Sequence, residues 1–325
     1  MPPTAISASP LPGRAAVAAS ATGASAPARS AADARHGLLF LPPRALPAAF
    51  ILLWSTGYIS GKTALGHAGP WTMSCIRFAC VALVLLGVAL AMRAPWPRER
   101  RQWLHLTVVG LLVQGVQFPA LYSGLKLGVS AGVSALIVGL MPIVTAVLAG
   151  IFLGERSTAR QWIGLVAGLF GVALVVSNRI GTEGSALAYG CCVLALLALA
   201  SGTLYQKRFC AHMDLRSGAC IQFAVAALAT LAPAIAVEGF AIDAVPTFFA
   251  AMGWMVVVNS IIGTSLLFIM IRQGSAAKVS SLFYLVPGVA ALFSYLAFGE
   301  TLTPLSFAGF AVTAGAVWLC TRART

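Results

Sequence analysis

Between residues 45 and 321 the chain alternates long apolar runs with short polar joints. Ten runs stand out, at approximately 45–64, 72–92, 103–125, 129–153, 159–178, 186–206, 217–237, 248–271, 275–298 and 304–321. Each approaches the roughly 20 residues that a helix needs to cross a bilayer. The pattern predicts an all-α, polytopic membrane protein of ten transmembrane helices. Several joints are so short that neighbouring helices must form antiparallel hairpins. The divisions between the third and fourth runs, and the eighth and ninth, are the least sharp. Residues 1–38 hold Ala, Ser, Pro and Arg with no apolar period, a composition that cannot bury a core and predicts a disordered tail. The tail lacks the continuous apolar run of a secretory signal, although its Arg-containing, acid-poor composition also imitates an organelle transit peptide.

The runs repeat. Ser130-Ala131, Leu140, Pro142, Val144, Gly154-Glu155, Thr158 and Gly164 recur 145 residues later, without a gap, as Ser275-Ala276, Leu285, Pro287, Val289, Gly299-Glu300, Thr303 and Gly309. Shared leucines prove little in apolar sequence, so the rare residues decide. At the same shift Lys62 meets Lys207, Cys75-Ile76 meets Cys220-Ile221, and the amide Gln114 meets the amide Asn259. This is an internal duplication, with a first five-helix unit at residues 39–180 and a second at 184–325.

Composition agrees with a membrane solvent. The chain is 59% hydrophobic and 9% charged, with a mean hydropathy of +0.92, which a soluble globule could not hide. The net charge of +13 forms no basic stripe interleaved with aromatics, so nucleic acid is not an expected partner. Lys and Arg instead gather in alternate joints, seventeen on one side against Lys62, Lys126 and Arg179 on the other, with Arg77 inside the second run. That asymmetry places both termini in the cytoplasm. The seven cysteines match no zinc spacing and no disulfide framework, and no cofactor or metal is called for.

Orientation makes the repeat informative. Five spans per unit is an odd number, so the second unit enters the bilayer inverted. Two inverted units related by an axis in the membrane plane provide two equivalent states, open to one side or the other, with a substrate site near the midplane. This predicts alternating access.

The duplicated Ser-Ala entry, mid-helix Pro, terminal Gly-Glu and following Gly, together with Arg77 in the second run, resemble the EamA-type transporters of the drug/metabolite transporter (DMT) superfamily. The resemblance spans residues 45 to 321, and the second unit departs from it by carrying Gln222 where the first has Arg77. It implies movement of small metabolites, often amino acids or related compounds, across a bacterial inner membrane, with efflux as the implied direction.

Individual residues then acquire candidate roles. Gln114 and Asn259 fall near the centres of their helices, where an unpaired amide is expensive, and Gln117 lies three residues from Gln114, on its face. Trp54, Tyr58, Tyr205, Thr264 and Tyr284 add polar or aromatic edges. These eight are the substrate-cavity candidates, and each also reads as an interhelical contact that only holds the bundle together. Pro142 and Pro287 remove a backbone hydrogen bond in mid-run and are expected to kink their helices, either flexing around the cavity or as static bends. Glu155 and Glu300 sit at helix ends, with Thr158 and Thr303 placed to cap the next helix, so they read as structural. Arg77 lies about a turn and a half inside the outer boundary. It either snorkels to the headgroups or lends positive charge to an outer vestibule. Lys207 reads as an ordinary cytoplasmic charge. The segment Gly57-Tyr-Ile-Ser-Gly61-Lys62-Thr63 imitates a phosphate-binding loop but is one residue short and has no preceding strand.

The reading is therefore a secondary transporter for a small molecule in a lipid bilayer. An uncoupled exchanger or uniporter is the alternative. A membrane enzyme would need convergent His, carboxylate or nucleophile groups at depth, and the helix interiors offer no carboxylate and no clear His; a scaffold without a cavity is the remaining alternative.

Overall fold

The computed structural model describes residues 45–129, 134, 137–155, 157–176, 185–274, 276–298 and 304–322. The N-terminal tail, Glu300, Thr303 and Ser275 lie outside the described residues. The described chain is helical, with one isolated bridge between Ala68 and Ile242. The helices are α1 (Leu46–Leu65), α2 (Pro70–Ala91), α3 (Arg100–Lys126), α4 (Met141–Leu153), α5 (Ala159–Val176), α6 (Ala186–Phe209), α7 (Leu215–Glu238) and α8 (Pro246–Gln273). Next come α9, in three pieces (Ala276–Ser281, a 3₁₀ turn at Leu282–Tyr284, and Leu285–Phe298), and α10 (Pro304–Arg322). Helices α2, α3, α6, α7 and α8 are long and apolar enough to cross a membrane, while α4, α5, α9 and α10 contain shorter apolar stretches.

Local chemistry sets the ends. Thr158 and Gln161 form a reciprocal capping box at the start of α5, Thr158 N–H donating to Gln161 Oε1 (2.8 Å) and Gln161 N–H to Thr158 Oγ1 (3.2 Å). Ser185 caps α6 and Asp214 caps α7. Helices α4 and α7 stop at Gly154 (φ 66°) and Gly239 (φ 61°), a left-handed conformation that glycine adopts without a Cβ clash.

The two mid-run prolines fall just after interruptions of their helices. Pro142 is the second residue of α4, which restarts after a turn at Gly139–Leu140, and Pro287 is the third residue of the piece that follows the 3₁₀ turn of α9. In both places the regular helix is interrupted directly ahead of the proline, while the flanking residues Leu140, Ser281 and Leu285 keep helical backbone angles. A proline in the first helical turn has no hydrogen bond to lose, so the chain breaks ahead of it and resumes.

The α3 and α8 helices each contain a π-helical stretch, Gly110–Val116 and Met255–Gly263. Their first residues are again 145 apart, and Gln114 and Asn259 hold the same place in each. Pro119 denies the Gly115 carbonyl its donor in α3, but the corresponding residue of α8 is Thr264. Proline is therefore not the shared cause.

The most extensive helix pairings are α2 with α7 and α5 with α10. Both are antiparallel. Ser217 Oγ at the start of α7 donates to the Pro95 carbonyl beyond the end of α2 (2.6 Å). At the other end, the backbone N–H groups of Trp71 and Thr72 donate to Glu238 Oε1 and Oε2 (3.1 and 2.7 Å). A carboxylate delivered from α7 thus satisfies the free donors at the start of α2. In the second pair, Gly164 meets the Ala316 carbonyl and Cys320, while Gly171 meets Thr313 and the Gly309 carbonyl. Of the other neighbours, α1 lies on α8 and α9, and α6 lies on α3 and α4. The polarity is the reverse of a soluble core. Leu83, Leu228 and Leu296 are about 70% exposed on the outside, at 69%, 71% and 70%, while Arg77, Gln114, Gln117, Gln206, Gln222 and Asn259 are buried. Lipid accepts the first set, and only the bundle interior can satisfy the second.

Candidate functional site

A cavity of about 50 Å³ lies between the helices, room for a few waters. Helix α1 lends Trp54, Gly57 and Tyr58, α2 lends Arg77, and α3 lends Gln117, Phe118 and Tyr122. From the second half of the chain come Leu199 of α6, Asn259 of α8 and Phe283 of the 3₁₀ turn. Its aromatic wall is continuous: Trp54 lies 5.5 Å from Phe283, edge to face, and 6.3 Å from Phe118, ring centre to ring centre.

Asn259 is held by α1. Its Nδ2 donates to the Leu53 carbonyl (2.7 Å) and contacts Thr56 Oγ1 (3.3 Å), which also accepts from Trp254 Nε1 (2.9 Å). The carbonyl fixes which end of the amide is nitrogen, and Oδ1 is buried with no partner. Gly57 makes this approach workable, because a Cβ there would lie 3.0 Å from Nδ2; a Cβ at Gly61 would lie 2.8 Å from the Tyr122 hydroxyl. The two glycines of the false phosphate loop are a close-contact face of a membrane helix.

Arg77 does not snorkel. It is 2% exposed, and its Nε donates to Ser260 Oγ, beside Asn259 in the π stretch of α8 (2.7 Å). Its guanidinium carbon stands 4.4 Å from the centre of the Phe118 ring and 5.9 Å from that of Phe78. The residue expected near a vestibule is a wall of the central cavity, because an α8 hydroxyl and an α3 ring draw it inward.

The remaining candidates separate. Gln117 lines the cavity with Oε1 unpaired, whereas Gln114 is fully buried off its wall with neither amide atom paired. The π stretch, with its i→i+5 bonds, turns less per residue, so a three-residue step no longer returns to one face. Tyr284 donates to the Leu165 carbonyl (2.7 Å), its ring against Gly168, and so joins α9 to α5. Tyr205 joins an aromatic cluster, its hydroxyl 2.8 Å from His105 Nδ1 and its ring 4.5 Å from that of Phe209. Thr264 is buried at the end of the π stretch, off the cavity wall. Glu155 takes the ammonium of Lys207 at 2.5 Å, and the same ammonium donates to the Gly274 carbonyl (2.9 Å). Lys207 is therefore an interhelical tie rather than a free surface charge. Phe118, Tyr122, Ser260 and Phe283 complete the site without having been singled out by the sequence. The one available signal was the pair Gly57 and Gly61, whose spacing announces close neighbours.

The sequence profile of the EamA-like transporter family matches the chain twice, over residues 45–177 and 186–322. The inner membrane transporter YedA of Escherichia coli (strain K12) is 26% identical over 84% of this chain and 88% of its own length. The transporter YvbV of Bacillus subtilis (strain 168) is 26% identical over 81% and 86%, respectively. The protein named "Probable amino-acid metabolite efflux pump" in Escherichia coli (strain K12) is 23% identical over 80% and 88%. A crystal structure with 22% identity superposes at a TM-score of 0.70, covering 85% of this chain and 95% of its own, and so shares the fold. With an apolar exterior, a polar interior and a family profile matched over nearly all of the described residues, the chain belongs to the EamA-like transporters of the drug/metabolite transporter superfamily and is a membrane transporter, not an enzyme.

Proposed function

We propose that the protein carries a small metabolite, an amino acid or related compound, outward across the inner membrane by alternating access. In this reading ten helices cross the bilayer as two inverted five-helix units, residues 39–180 and 184–325, with both termini cytoplasmic. One observation carries it: an aromatic-walled cavity with a few polar groups, Arg77, Gln117 and Asn259 among them, lined from both halves of the chain inside an apolar shell. Its volume of about 50 Å³ is well below the roughly 300 Å³ of an ordinary ligand pocket, which suits a site that must open before a solute enters. The inversion draws support from the antiparallel course of α2 with α7 and of α5 with α10, since each pair consists of helices that the duplication makes equivalent. The two π stretches keep the 145-residue register of the duplication, and the family profile matches each half once. Inner-membrane placement and outward direction follow the names of relatives.

Exchange without ion coupling is the second reading. Glu99, Glu155, Asp214, Glu238 and Asp243 all stand at helix ends or in joints, so no described carboxylate lines the cavity. Purified protein in vesicles preloaded with unlabelled amino acids should take up labelled amino acids several-fold faster than in empty vesicles. Flux indifferent to the preload would reject alternating access, and acceleration by an imposed pH gradient would reject the uncoupled reading.

A further inference from the structure

We infer that the cavity selects solutes bearing a carboxylate, held by Arg77, together with a hydrogen-bond donor directed at Gln117 and Asn259; this rests on the cavity being the solute site. A guanidinium removed from water needs compensation worth several kcal/mol. Here the described compensation is the Ser260 hydroxyl at 2.7 Å, the Tyr122 hydroxyl, which also accepts a hydrogen bond from the guanidinium, and the Phe118 ring face. No described carboxylate pairs with Arg77. Ser260 occupies the Nε edge, and the Nη1/Nη2 edge is a planar fork suited to two parallel bonds with a carboxylate.

The duplication provides an internal control. Position 222 is the counterpart of Arg77, and there the fold buries a neutral amide at 1% exposure, Gln222, whose Nε2 donates to Gln206 Oε1 (3.0 Å). Packing at this depth therefore does not demand a cation, and the charge in the first half remains to be explained by what it binds. Two acceptors complete the specification. Gln117 Oε1 and Asn259 Oδ1 are buried without donors, a state that costs free energy until a solute N–H or O–H arrives. A small amino acid or hydroxy acid supplies both halves of this pattern, with its side chain against the Trp54 and Phe283 rings.

The test uses the full-length protein in detergent and a panel of L-amino acids and 2-hydroxy acids, each beside its primary amide, with thermal stabilisation as the readout. Acids should raise the melting temperature where their amides do not. Arg77→Gln should weaken acid binding by about 30-fold or more, with Arg77→Lys intermediate. Amides that stabilise as well as acids would overturn the carboxylate assignment and leave the solute site standing. If no member of any pair binds, the solute site and the assignment fall together. The acid–amide comparison on the unaltered protein decides the matter even where Arg77→Gln does not fold.

Discussion

Asn259 and Gln114 hold equivalent places in the two π stretches, yet they carry opposite consequences for substitution. Asn259→Leu removes one donor from the Leu53 carbonyl, which keeps the Thr56 hydroxyl at 2.7 Å, and the loss of one net hydrogen bond costs about 0.5–1.5 kcal/mol. It should lower the melting temperature and reduce exchange flux together. In Gln114→Leu an amide with no partner on either atom gives way to an apolar side chain of similar length, so the melting temperature should hold or rise, with flux retained. Equal losses in both variants would mark the amides as a matched structural pair. Asp214, in the α6–α7 joint, makes a separate prediction. Partial burial opposes its ionisation, but Arg216, through its side chain (2.8 Å) and backbone N–H (2.8 Å), holds the carboxyl below its ordinary value. A lowered folded-state pKa adds stability that is complete above the ordinary carboxylate range and is lost as pH falls through the lower folded value. Asp214→Ala should cost about 1 kcal/mol as a lost cap and flatten the acid arm of a stability–pH profile. An unchanged acid arm would remove Asp214 from that account.

Helix pairing is decided by small residues. Along the α5–α10 seam and its edge with α9, Gly164, Gly168 and Gly171 let backbones and a ring approach within distances no Cβ tolerates. At Gly168 a Cβ would lie 2.4 Å from the Tyr284 ring, and that ring is fixed because its hydroxyl is bonded to Leu165. Gly168→Ala should therefore destabilise the protein by about 1–3 kcal/mol, whereas Gly87→Ala, with nothing within 4 Å, should be neutral in a thermal melt. Similar melts for both would show that the seam yields. The glycine spacing was readable along the chain as a contact face. The identity of the group filling the gap was not, since Tyr284 is over a hundred residues from Gly168 and reads equally well as a cavity edge.

Across the whole molecule, the two ends are tied by different chemistry. At one, Lys207 of α6 bridges Glu155 after α4 and the carbonyl of Gly274 between α8 and α9. At the other, Glu238 caps α2, with the Ala68–Ile242 bridge beside it. Both partners of the Lys207–Glu155 pair are about a quarter exposed, 22% and 25%, so it should exceed a surface pair yet stay modest. A double-mutant cycle through Glu155→Gln and Lys207→Met should return a coupling of about 1 kcal/mol. A coupling near zero would make the tie incidental.

The chain alone determined the helices, the membrane as solvent, the duplication and the family. Those follow from run length, composition and rare residues recurring at one spacing, all of which survive in one dimension. Only the tertiary structure decided which of the eight cavity candidates share a cavity. A π stretch separates Gln114 from Gln117, a hydroxyl on α8 turns Arg77 inward, and a carbonyl on α5 claims Tyr284. In an interior where every polar group must find a partner, the partner sets where a side chain goes, and that partner comes from another helix.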